Sequence, residues 1–169
     1  MNRFSSFFVA CTLLLFSPVL FAQGTASQAT ATCNFDSTKQ LAIECQRMTV
    51  NSRNPVLGHE IPYNKVWAPG GKPMALFVNC PVTVGGREIP IGAYTMLAIP
   101  SEKQWTLIIS KSTDTTGKYE EQEDLVRVAM EYGQLESPEN EFSVYFAHAA
   151  PEQCSMRLDL ERVVFQGKD

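Results

Sequence analysis

Few residues in this chain are equipped for chemistry, and their spacing limits what they could do. The histidines are His59 and His148. Glu60 follows His59 in a stretch rich in Pro and Gly, so an imidazole and a carboxylate could be offered together to a metal ion or to a proton in transit. A metal centre needs a third ligand, and the sequence around His59 and Glu60 supplies none, so the pair reads as part of an exposed loop. His148 ends an alternating stretch, Phe142 to Ala147, which places it at a strand end, where the binding loops of a β-sandwich gather. The alternative function, a metal-dependent or hydrolytic envelope enzyme using His59 and His148, needs the two to converge, and no spacing requires that they do.

The cysteines are Cys11, Cys33, Cys45, Cys80 and Cys154. They form no C-x-x-C pair, and the histidines are read as remote from them, so no zinc site and no cofactor is expected. Without Cys11, which falls in the N-terminal apolar run, an even number remains, which in an exported chain reads as two disulfides with three possible connectivities. The favoured pairing is Cys33–Cys45, stapling the N-terminal segment to the first strand, with Cys80–Cys154 tying an early core strand to the last.

Other chemistries lack their signatures. No G-x-S-x-G elbow is present for acyl transfer. Glu120-Glu121-Gln122-Glu123-Asp124 is a continuous acidic run, which reads as a solvated loop and matches no EF-hand spacing. Gly70-Gly71-Lys72 is followed by Pro73 and lacks the frame of a phosphate loop. The aromatics Tyr63, Trp67, Tyr94 and Trp105 remain. Tyr63 and Trp67 stand four apart in an extended segment and would share a face, giving a stacking platform for a carbohydrate-like ligand. The competing reading is that these rings fill the space between sheets.

The elements that must position these groups are strands. Leu41, Ile43 and Cys45 alternate with more polar neighbours, as do Trp105, Leu107 and Ile109, then Val126, Val128 and Met130, and finally Met156, Leu158 and Leu160. Met74 to Asn79 is a nearly continuous apolar run. Val82 to Ile89 folds back around Gly85-Gly86, a two-residue hairpin signal. No stretch of helical length shows a helical period. Eight or nine strands joined by short links predict an all-β chain: a two-layer antiparallel β-sandwich, jelly-roll or Greek-key-like, with a closed β-barrel as the alternative.

The chain has 169 residues and a formal net charge of −4, which suits one globular domain and argues against nucleic-acid binding. Met1 to Ala22 reads as a signal peptide: Arg3 gives the positive start, Phe7 to Phe16 an apolar run too short to span a bilayer, and Ala22 a small residue for cleavage. Residues 23–38 read as a flexible linker and 39–166 as the β-sandwich domain. The mature chain contains no further apolar segment long enough to span a membrane, so a periplasmic or extracellular location is expected.

Several blocks occur in an order that resembles the domain-of-unknown-function family 2911 of exported bacterial proteins. They are Ile61-Pro62-Tyr63-Asn64-Lys65-Val66-Trp67, the hairpin from Val82 through Tyr94-Thr95, Ala98-Ile99-Pro100, Trp105 to Ile109, and Asp124-Leu125-Val126-Arg127-Val128. The likeness covers roughly Met48 to Val164. It implies an antiparallel β-sandwich in the bacterial envelope and carries no established activity. The chain departs from the family pattern after Trp67, where Ala68 to Lys72 replace the usual Arg and Asn, and at Leu160, where a Trp is frequent. The function expected is that of a non-catalytic binding or interaction module, with an envelope protein or a carbohydrate-like ligand as partner and Tyr63, Trp67, His59 and Glu60 as its candidate ligand-binding residues.

Overall fold

A computed structural model describes residues 27–50, 55–116 and 118–167. The signal-peptide expectation lies outside these residues. Within them the chain forms nine strands: β1 (Gln28–Asn34), β2 (Gln40–Gln46), β3 (Met74–Val78), β4 (Val82–Val84), β5 (Arg87–Ile89), β6 (Gly92–Ile99), β7 (Trp105–Ser110), β8 (Asp124–Ala150) and β9 (Gln153–Gly167). Short 3-10 turns stand at Pro69–Gly71 and Glu121–Glu123.

Seven strands make one antiparallel sheet in the order β1-β2-β3-β6-β7-β8-β9, and β4 and β5 make a separate hairpin. The all-β antiparallel expectation holds. The sheet is bent until it nearly closes, so the shape stands between a sandwich and a barrel, and its neighbours follow chain order as in a meander. Closure comes from the long strands. β8 runs for 27 residues, pairing with β7 from Asp124 to Met130 and with β9 from Met130 to Ala150, with register shifts between Gln134 and Ser143. The sequence reads there as two strands, because Gly133 to Asn140 carries turn residues; the structure carries the chain through them as a bent, irregular strand. Val50 N–H donates to the Asn140 carbonyl at 2.7 Å and Phe142 N–H to the Met48 carbonyl at 2.8 Å, joining the segment after β2 to the middle of β8.

The linker expected over residues 23–38 is corrected in its described part. Gln28–Asn34 is an edge strand paired along its whole length with β2. Its inward positions are Ala29, Ala31 and Cys33, with Ala29 packed on the core. Such small side chains leave almost no hydrophobic alternation to read, although they fit where an edge strand closes over a core.

The disulfide expectation is also corrected. Cys33 is bonded to Cys154, and Cys45 and Cys80 are buried free thiols. The hairpin register rules out the Cys33–Cys45 link: Cys33 lies opposite Leu41 while Cys45 lies opposite Ala29, four positions along the ladder or about 13 Å. Cys154 is used by Cys33 and is therefore closed to Cys80.

One half of the interior is filled by rings. Trp105 stacks on Phe165 with centroids 4.2 Å apart, and Trp67 meets both Trp105 and Phe142 edge to face at 5.6 Å. Trp105 and Phe165 are almost wholly buried, as are Met130, Leu158 and Leu160 around them. Such contacts give the packing density of an organic crystal.

Candidate functional site

The other half of the interior is hollow. Alternation along β2, β3, β6 and β7 turns Leu41, Ile43, Leu76, Met96, Leu107 and Ile109 to the same side, and all line one cavity of about 590 Å³. Val128 and Met130 of β8 continue that wall, and Phe146 and Met156 face it from the folded-over halves of β8 and β9. The β4–β5 hairpin roofs the cavity. Gly85 and Gly86 have φ of +57° and +77°, as a two-residue hairpin of the primed type requires. A Cβ at Gly85 would stand 2.8 Å from Val128 Cγ2, so glycine is also what allows the roof to press onto the wall. Cys80, a buried free cysteine, leads into this hairpin and lines the same cavity.

Polar groups collect where two turns meet at the edge of the hollow. Lys39, from the β1–β2 turn, reaches Glu152, from the β8–β9 turn, at 3.8 Å, and Asp36 at 3.6 Å. Both turns contribute to the lining through Phe35, Lys39, Glu152 and Gln153. The Cys33–Cys154 bond joins the strands directly behind these turns. Asp36 shapes the first turn by accepting from the Thr38 and Lys39 backbone N–H groups, each at 2.7 Å, and these bonds hold its carboxyl down at a pKa of about 2.

His148 stands at the same seam. It lies directly across the β8–β9 ladder from Cys154, with Nδ1 3.8 Å from Sγ, and the ligand atoms of Cys33, His148 and Cys154 all fall within 4.8 Å of one another. The expectation that both histidines are remote from the cysteines is corrected: His148 and Cys154 are close in sequence, and the hairpin turn Pro151-Glu152 makes them cross-strand neighbours. This H-x5-C spacing across a turn was the signal available for finding the cluster.

The remaining candidates lie elsewhere. His59 and Glu60 are exposed in the tight loop closed by the Gly58 N–H to Ile61 carbonyl bond. That loop is anchored at its start by Val56 N–H donating to Glu161 Oε1 at 2.7 Å. Glu161 and Cys154 are separated by roughly 20 Å of β9, so His59 and His148 do not share a centre. Trp67 packs against Trp105 and Phe142, while Tyr63 lies over Gly58 at the loop, so the two aromatics face different surroundings. Tyr94 donates its hydroxyl to the Pro90 carbonyl at 2.8 Å and braces the turn before β6. In the acidic run, Asp124 and Glu121 both pair with Arg127, at 2.7 and 3.0 Å. Sequence reasoning therefore identified the lining residues as strand core and missed that they surround a void.

The family model described as Protein of unknown function (DUF2911) matches residues 26–167. The chain belongs to this family. The match takes in all nine strands and the whole cavity wall, and it begins just before β1. No curated protein and no solved structure matches the chain. Among the described residues, no helix is long and apolar enough to cross a membrane.

Proposed function

We propose that this member of the DUF2911 family is an exported binding protein of the bacterial envelope that takes the apolar part of an amphiphile into its half-barrel. The observation carrying this reading is the hollow of about 590 Å³ walled mainly by aliphatic, methionine and phenylalanine side chains, with Lys39, Thr83, Glu152 and Gln153 as its polar members. Its size falls within the range of small-molecule sites. Water gains little in such a space, because a water needs two to four polar partners and this wall supplies none along its β2, β3 and β7 faces. An alkyl or isoprenoid chain replaces that poor hydration with dispersion contacts. The Lys39–Glu152 pair at the rim gives the polar end of the ligand a place beside solvent.

A carbohydrate-like ligand fits less well. Sugar hydroxyls need hydrogen-bond partners, and burying them against this wall costs on the order of 1–3 kcal/mol for each unpaired group. The apolar run and small cleavage residue of Met1 to Ala22 support export, and the disulfide suits an oxidising compartment.

The test uses the mature chain from Gln23, with its disulfide intact, titrated with a fluorescent polyene fatty acid and competed with unlabelled alkyl amphiphiles. Saturable binding at one site is expected, and it should disappear in Leu107→Trp, where the indole occupies the hollow. A native, folded protein showing no saturable binding to any alkyl or isoprenoid amphiphile overturns the reading. Export is checked separately by fractionating expressing cells and sequencing the mature N-terminus, which should begin at Gln23.

A further inference from the structure

We propose that Cys33, Cys154 and His148 form a binding site for a thiophilic cation of the Zn²⁺ class, available when the Cys33–Cys154 bond is reduced. Their ligand atoms lie within 4.8 Å of one another, so one ion can be shared by all three with small side-chain movements. The His148 Nδ1 to Cys154 Sγ distance is 3.8 Å. With zinc–sulfur bonds of about 2.3 Å and zinc–nitrogen bonds of about 2.0–2.1 Å, a tetrahedral site puts nitrogen and sulfur about 3.6 Å apart. The imidazole already stands at that separation. The two sulfurs must move from bonding distance to about 3.8 Å, which is what breaking the bond between them permits.

The framework favours holding these groups in place. Cys154 and His148 are opposite each other on one ladder, and Cys33 comes from β1, a strand fixed along its length by β2. Cys33 is buried, Cys154 is half-buried and His148 is exposed, so the ion enters from the His148 side and keeps water in its fourth position. Metal and disulfide are then alternative clamps on one seam, both joining β1 to β9 beside the rim of the hollow.

The chemistry balances with a dithiol as reductant. The dithiol forms its own disulfide and passes two electrons and two protons to the sulfurs of Cys33 and Cys154. Zn²⁺ then displaces those two protons and forms two zinc–thiolate bonds, while neutral His148, protonated on Nε2, donates the Nδ1 lone pair.

The experiment uses the mature protein carrying Cys45→Ala and Cys80→Ala, so that no other thiol contributes. It is reduced anaerobically in the presence of Co²⁺ and followed by absorption and far-ultraviolet circular dichroism. One equivalent of Co²⁺ should produce a thiolate charge-transfer band and the visible bands of tetrahedral cobalt, bleached by Zn²⁺. The oxidised protein should show neither. His148→Ala keeps both sulfurs and should weaken Co²⁺ binding by roughly tenfold or more, as loss of a directly bonded ligand must cost at least what loss of its supporting partner does. Absence of the bands in the folded, reduced protein overturns the proposal. So does unchanged affinity in His148→Ala, which would mean simple dithiol chelation. A reduced chain that stays unfolded in excess Co²⁺ also overturns it, because an ion bound by the folded state must stabilise that state.

Discussion

The ring-filled and hollow halves of the interior share β7, β8 and β9, and in both most of the apolar strand side chains are buried. Trp105 and Leu107 are neighbours on one face of β7, nearly fully buried, and yet one stacks on Phe165 while the other borders a void. The hydrophobic effect rewards removal from water in both places. Dispersion rewards contact, and only the ring-filled half collects it in full. Burial alone therefore does not distinguish a core from a container. What distinguishes them is ring-on-ring contact: Trp67, Trp105, Phe142 and Phe165 pack on one another in the ring-filled half, while in the other the Leu, Ile, Val and Met side chains and the separate rings of Phe35 and Phe146 leave space beneath a hairpin roof.

The largest expected effect falls on the seam that closes the hollow half. The Cys33–Cys154 link spans a sequence separation of 121, so removing it restores a long loop to the unfolded chain. In the chain-entropy account this costs on the order of 4–5 kcal/mol. Cys33→Ala with Cys154→Ala should lower the denaturant midpoint accordingly, and hydrogen exchange should rise first in β1 and the β8–β9 turn. Equal loss of protection around Trp105 would show that the two halves melt as one body.

Next comes the ring-filled half. Trp105→Ala should cost about 3–5 kcal/mol, because its neighbours Trp67 and Phe165 lose a large, well-contacted partner. Trp105→Phe should cost clearly less. The Trp105 Nε1–H is buried with no acceptor among the described residues, and phenylalanine removes that unsatisfied donor. Denaturant titration of the two variants separates volume from polarity.

The hollow half should respond in the opposite way to added volume. In a filled core, inserting a ring costs roughly 1–3 kcal/mol through overpacking. Leu107→Trp projects into existing space, so its stability should stay within about 1.5 kcal/mol of the parent while amphiphile binding is lost. A penalty as large as that of Trp105→Ala would mean that the hollow is not free to be filled, and the contrast between the halves would fail.

How much of this was legible in the chain follows from which physical signals sequence carries. The strands around Leu41, Trp105, Val126 and Met156 announce themselves because alternation reports which side faces water. β1 does not, since Ala29 and Ala31 are too small to signal a buried face. The two-residue turn at Gly85-Gly86 is readable because only glycine adopts both of its positive φ angles cheaply. Its role as a roof is not, because that depends on contacts with Val128 far along the chain. The Cys33–Cys154 pairing likewise depends on how β8 and β9 fold over β1. The His148–Cys154 pair is legible, because a hairpin turn at Pro151-Glu152 sets the two residues opposite each other.

The smallest expected effect concerns the rim and is a matter of pH. Asp36 is held at a pKa of about 2, against an ordinary value of 3.8, chiefly by the backbone N–H groups of Thr38 and Lys39. The folded pKa is depressed, so the stabilisation is fully present above the unfolded value and disappears as pH falls through the folded one. The window is thus from about pH 4 down to about 2, below which the carboxyl no longer accepts these bonds as an anion. In this window the Thr38 and Lys39 amide resonances should move together with an apparent pKa near 2. Lys39 also pairs with Glu152 across the mouth, so loosening the turn should speed amphiphile exchange from the hollow while the Trp105–Phe165 stack stays unchanged. Asp36→Ala should reproduce that faster exchange at neutral pH. If the two amides instead titrate near 3.8, the turn is not held in solution by this carboxylate. The rim would then be set by the disulfide seam alone, and acid should leave ligand exchange unaltered.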